Sequence, residues 1–189
     1  MTMIFYDVDT QHDFMDKNGA LYVPGAEEIK PNLKKLTDYA KKHKIFIFGS
    51  LDEHFGDEEH KEEEGELSKW GGPFPDHCMI NTKGSERIPE TSDPHKEDFT
   101  KTSYDVFTNL AAEMVLKTYE VKEAVVYGVA TDYCVKAAVL GMQKRGIQCY
   151  VVEDAIAGVS PQTTADAIFD MKEAGATFVK TKDIISGKI

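Results

Sequence analysis

The chain has 189 residues, enough for one domain with a sizeable core and too few for two ordinary ones, so a single domain over residues 1–189 is expected. It carries 22 basic against 33 acidic residues, a net charge of −11, which argues against nucleic acid or an anionic membrane surface as a partner. No apolar run reaches the roughly 18 residues of a membrane span, and the start Met-Thr-Met-Ile-Phe-Tyr-Asp lacks the charged-then-apolar layout of a signal peptide. A cytoplasmic protein is the expectation, and three cysteines, Cys78, Cys134 and Cys149, are a poor basis for a disulfide framework.

In chain order, apolar runs rich in β-branched and aromatic residues predict buried strands at 3–8, 45–49, 124–129, 148–152 and 177–180. Helical periodicity predicts helices at about 26–43, 107–118, 132–145 and 161–174, with Gly146 and Gly175 as stops after the last two. Strands alternating with helices of this length are the sign of βαβ units, so the fold class is α/β: a three-layer α/β/α sandwich on a mainly parallel sheet. Residues 51–102 break the rhythm. They are rich in Gly, Pro, His and acidic side chains and read as a metal-binding, lid-like insertion.

Ligands of open parallel sheets bind outside the carboxyl ends of the strands. Asp9 follows the first predicted strand, Asp52-Glu-His54 the second, and Gly128-Val-Ala-Thr-Asp-Tyr-Cys134 follows the strand at 124–129. Cys134 falls in the first turn of a helix, where free N–H groups and the helix dipole favour a thiolate nucleophile. Cys78 and Cys149 read as structural. Asp9 is placed to take the thiol proton, with Asp7 the weaker candidate because side chains alternate along a strand. Lys101 reads, on its own, as an ordinary surface lysine. Asp52 and His54 can give one metal ion an oxygen and a nitrogen, and with His60 and His77 they place three histidines within 24 residues, a donor set suited to zinc, iron or manganese. His12, His43 and His95 read as surface residues.

Together these segments resemble the nicotinamidases of the isochorismatase-like cysteine hydrolase superfamily, from about Ile4 to Val159. The resemblance is carried by Asp9-Thr-Gln-His-Asp-Phe14, Gly19-Ala-Leu-Tyr-Val-Pro-Gly-Ala26, Asp52-Glu-His54, Phe74-Pro-Asp-His77-Cys78, Lys101 with Tyr104-Asp-Val-Phe107, and Gly128 to Val135. It implies a catalytic triad of Asp9, Lys101 and Cys134, and a cis peptide between Val129 and Ala130 that turns the Ala130 N–H into an oxyanion hole shared with the Cys134 N–H. It implies a divalent metal ion, zinc first, on Asp52, His54 and His77, with His60 or Glu64 open as a further ligand. Nicotinamide is the implied substrate, cleaved to nicotinate and ammonia through a Cys134 thioester, with Phe14 and Phe74 packing on its ring. A homo-oligomer is implied by analogy. Two departures concern the pocket wall: the family usually carries Trp where Phe74 and Glu53 stand, and Trp70 is the candidate replacement ring. The alternative within the superfamily is a metal-poor amidohydrolase acting on a carbamoyl, ureido or other small amide.

Overall fold

The structure is a computed structural model that describes residues 2–93 and 96–189. Six strands, β1 (Thr2–Val8), β2 (Ile47–Asp52), β3 (Glu97–Lys101), β4 (Val121–Val129), β5 (Gln148–Ala157) and β6 (Thr177–Val179), form one sheet in the order β3-β2-β1-β4-β5-β6. Every neighbouring pair is parallel, as the alternation of strands and helices requires. Helices α1 (His12–Met15), α2 (Ala26–His43), α3 (Leu110–Thr118), α4 (Lys136–Lys144), α5 (Pro161–Glu173) and α6 (Thr181–Ile185) complete the chain.

Both faces of the sheet are buried, which is why its strands read as continuous apolar runs. Ile4, Tyr6 and Val8 of β1 pack with Val126, Val139 and Met142 on one side, whereas Phe5 packs with Leu33, Leu36, Val125 and Ile184 on the other. The α2 face is built by Ile29, Leu33, Leu36 and Ala40 at helical spacing, and α5 opens on a Ser160 cap with Pro161 in its first turn.

Three differences from the sequence reading bear on the site. β3 lies inside the segment read as an insertion, so Lys101 is the last residue of an edge strand and pairs in register with Asp52. β2 runs three residues further than its apolar core suggests and carries Asp52 as its final residue. The predicted helix at 132–145 begins as a wider turn, Thr131–Val135, closed by the Val135 N–H on the Ala130 carbonyl, and only then becomes α4.

The chain order reverses between β1 and β4: β2 and β3 lie on one side of this pair, β5 and β6 on the other. A crevice therefore opens at the carboxyl ends of these two strands. Gly128 makes that junction possible. It stands opposite Val8 at φ 119°, and a Cβ there would fall 2.1 Å from the Val8 carbonyl oxygen.

Candidate active site

Asp9 leaves β1 in a left-handed conformation, φ 46°, which directs its carboxylate into the crevice. Lys101, from the end of β3, brings its Nζ to 2.9 Å from Asp9 Oδ2 and 3.2 Å from Asp52 Oδ1, and donates at 3.5 Å to Cys134 Sγ. All of these side chains are buried, so their charges act on one another with little screening. Burial by itself would push Lys101 down, but the Asp52 and Asp9 carboxylates and the cysteine outweigh it and hold the ammonium well above its ordinary range. Lys101 is thus a fixed cation. The surface lysine of the sequence reading is an interior one, because β3 delivers it there.

The surroundings of Cys134 act against the thiolate expected from its helix position. Burial pushes its thiol well above the usual range, Lys101 acts in the opposite direction, and the Asp9 and Asp52 carboxylates raise it again. Asp9, buried beside Lys101 in the same cluster, is the group placed to take the Cys134 proton when the sulfur attacks.

The segment from Asp9 to Phe14 builds the rest of the site with one side chain after another. The Gln11 amide donates to the Asp52 carbonyl at 2.7 Å and accepts the Asp52 N–H at 2.8 Å, which locks the end of β2 against β1. Asp13 accepts the Cys78 N–H at 2.7 Å and the Ala20 N–H at 3.0 Å, tying down the loop that carries His77. Phe14 faces His77 at 5.6 Å between rings. Asp7 points to the other side of β1, into a buried ion cluster with Arg87 (3.0 Å), Lys96 and, through Arg87, Asp98.

Asp52, His54, Glu66 and His77 each present one donor atom, all within 4.8 Å of one another. The surroundings fit a cation. His77 Nδ1 donates to the Pro75 carbonyl at 2.7 Å, which leaves the lone pair of Nε2 facing Asp52 Oδ2 at 3.1 Å, and His54 Nε2 approaches the same oxygen at 3.3 Å. Glu66 Oε1 is buried without a hydrogen-bond partner, and burial, then the Asp52 carboxylate, pushes its carboxyl up to about 8. Two lone pairs and two carboxylates directed at one small volume are the donor set of a divalent transition metal.

The cleft above this floor holds about 500 Å³ of empty space out to its mouth. Its aromatic wall is Phe74, Tyr104 and Tyr133, set edge to face or tilted at 5.2–6.4 Å between rings, with Phe14, Val129 and Val159 around it. The peptide between Val129 and Ala130 is cis, and Ala130 and Cys134 both line the cleft.

The family model for the isochorismatase domain matches residues 4–183. The chain belongs to the isochorismatase family. Among its relatives in that family, the nicotinamidase of Escherichia coli (strain K12) is 31% identical, with 93% of each chain covered. The zinc-complexed pyrazinamidase of Pyrococcus horikoshii superimposes with a TM-score of 0.85 at 29% identity, over 95% of this chain and 99% of that one. The N-carbamoylsarcosine amidase of Thermoplasma acidophilum shares the fold, with a TM-score of 0.78 at 22% identity over 96% and 97% of the two chains.

Measured against the sequence reading, this isochorismatase-family site brings together Asp9, Lys101, Cys134, Ala130, Asp52, His54, His77, Phe14 and Phe74. It leaves out three residues. His60 is paired with Asp57 at 2.7 Å and stacked on Phe55 at 4.0 Å, away from the other donors. Glu64 is buried but serves the backbone N–H groups of Phe55 and Gly56, and stands 3.9 Å from His54 Nδ1, behind the imidazole. Trp70 is half-buried under Lys69 and does not line the cleft. In their place stand Glu66, Tyr104 and Tyr133. The two tyrosines lay within quoted motifs, one after Lys101 and one before Cys134, but Glu66 is one of several acids in a run and nothing in its spacing singles it out. His12 is half-buried and bound to Asp16 at 2.6 Å, His43 is exposed, and His95 lies outside the described residues.

Proposed function

We propose that the protein is an amidohydrolase that converts nicotinamide to nicotinate and ammonia, with Cys134 as nucleophile. The observation that carries this reading is the juxtaposition of a Cys134, Lys101 and Asp9 cluster with a buried Asp-His-Glu-His set on the floor of one aromatic cleft. A flat heteroaromatic amide suits it: the ring lies between Phe14 and the Phe74, Tyr104 and Tyr133 wall, and the carboxamide reaches Cys134. The Escherichia coli and Pyrococcus horikoshii relatives support the same substrate class. The metal-ligand set favours this reading over a metal-poor amidohydrolase of the same fold.

Asp9 takes the Cys134 proton as the sulfur attacks the carboxamide carbon, and Lys101 keeps its charge throughout, offsetting first the Asp9 carboxylate and then the thiolate. The N–H groups of Ala130 and Cys134 receive the oxyanion of the tetrahedral intermediate, each such donor being worth about 10²–10³ in rate. Asp9 returns its proton to the departing ammonia, leaving a nicotinoyl thioester. In the second half Asp9 draws a proton from water, the resulting hydroxide attacks the acyl carbon, and the restored thiolate recovers its proton. Asp52, His54, Glu66 and His77 would hold a divalent transition metal, zinc by analogy with the Pyrococcus horikoshii relative, and the ion would supply a Lewis acid for holding the substrate ring.

The test is ammonia release from nicotinamide by the purified protein beside its Cys134→Ala variant. Release by the wild type alone is expected; none from either contradicts the substrate, and equal release from both contradicts the nucleophile.

A further inference from the structure

Asp52 divides its carboxylate between two sites. Its Oδ2 faces the ring nitrogens of His54 and His77 at 3.3 and 3.1 Å, while its Oδ1 accepts from Lys101 Nζ at 3.2 Å. Lys101 Nζ in turn stands 2.9 Å from Asp9 Oδ2 and 3.5 Å from Cys134 Sγ. Three contacts therefore run without a break from the metal-ligand set to the nucleophile, through buried side chains and through one shared ammonium.

That ammonium has one N–H for each of the three acceptors, and its single positive charge is divided among them. Without a metal ion Oδ2 faces the rings of His54 and His77, and the Asp52 carboxylate competes with Asp9 and Cys134 for the charge of Lys101. A divalent cation held by the set would draw on the Asp52 charge and leave more of Lys101 to the other two. We propose that Asp52 is a positioning residue that couples the metal to the nucleophile: the ion raises the reactivity of Cys134 through Asp52 and Lys101, before any substrate is bound. This rests on the metal reading given above, and it adds a second role for the ion beside holding the substrate ring.

The groups facing Cys134 are few and come from every neighbouring element. Asp9 arrives from β1, Asp52 from β2, Lys101 from β3, Glu66 and His77 from the segment between β2 and β3, and Tyr104 and Tyr133 from the cleft wall. Helix α5, packed on the Thr131–Val135 turn, sends its Asp170 outward to Lys136 at 2.6 Å. Among the described residues, the Asp52–Lys101 contact alone joins the metal set to the sulfur through a cation.

The experiment is alkylation of Cys134 by iodoacetamide, read by peptide mass spectrometry on the full chain after chelation and again after Mn²⁺ is restored. Manganese is chosen because it binds thiolates weakly. Nicotinamide is absent, so the outcome is independent of the substrate. Restored Mn²⁺ is expected to speed alkylation near neutral pH by about tenfold, within the ordinary range of coupling between sites, and to lower the midpoint of the rate against pH by about one unit. In Lys101→Met the Mn²⁺ effect should vanish. A change in plateau rate with an unmoved midpoint reports access to the pocket and overturns the coupling, as does an Mn²⁺ effect that survives in Lys101→Met. If that variant does not fold, the wild-type midpoint decides. Protein that takes up no Mn²⁺ by elemental analysis contradicts the metal reading and the coupling together, whereas bound Mn²⁺ with an unmoved profile contradicts the coupling alone.

Discussion

At the scale of single residues, the metal-ligand segment separates side chains that composition cannot. Glu66, Glu64 and His60 lie within seven positions of one another, yet they have three different surroundings: a donor set, a brace behind His54, and an exposed turn. Glu66→Gln should therefore bind metal more weakly. Glu64→Gln should lose about 10–100-fold in metal affinity by loosening His54, the usual cost of removing a group that orients a ligand. His60→Ala should change nothing measurable. Competition with a chelating dye checks all three, and a larger loss in His60→Ala than in Glu66→Gln would contradict the assignment. The same surroundings explain why the fourth donor was not legible in the sequence. An acid in the run from Asp57 to Glu66 looks like a solvated face until the loop folds back and buries one end of it. Asp9, Cys134 and the Asp52–His54 pair were legible because a parallel sheet places whatever follows its strands at the ligand site.

At the scale of elements, β3 decides the site and was the hardest to read. Its five residues, Glu97–Lys101, bury only Phe99 and Lys101, so an edge strand with charged neighbours resembles a polar loop. The core strands β1, β4 and β5 were plain because both of their faces are covered. Behind β1 and β2, Arg87 spans Asp98 at 2.6 Å and Asp7 at 3.0 Å, and it anchors the returning segment just before β3. Burial would raise the Asp98 carboxyl, but the Arg87 guanidinium outweighs it and holds the group below its ordinary value. A carboxylate with a depressed folded pKa adds stability above its unfolded value of 3.8, and that stability is lost as pH falls through the folded value. Asp98→Asn should cost about 2 kcal/mol at pH 7, of the order expected when a buried charged partner is removed. The difference from wild type should shrink below about pH 4. Urea unfolding at several pH values tests this, and a penalty that stays constant into acid would contradict it.

At the scale of the whole molecule, the four proposed metal donors converge from β2 and the long segment after it. A bound ion should therefore stabilise the native chain by linkage, about 2.7 kcal/mol at a hundredfold excess over its Kd. For a chain of this size that corresponds to roughly 5–10 °C in Tm. Chelation should lower the melting temperature accordingly, and a Tm indifferent to chelator would contradict a structural share for the ion. The sheet order also sets why the chemistry sits where it does: the reversal between β1 and β4 leaves one crevice, and Asp9, Lys101 and Cys134 reach it from three different strand ends.

Trapping with hydroxylamine tests covalent catalysis by Cys134. During turnover of nicotinamide, a nicotinoyl thioester on Cys134 partitions between water and hydroxylamine, so nicotinohydroxamate should form at the expense of nicotinate in the wild type and be absent with Cys134→Ala. Continued production of nicotinate alone in the presence of hydroxylamine, with Cys134→Ala still active, would contradict a thioester on Cys134.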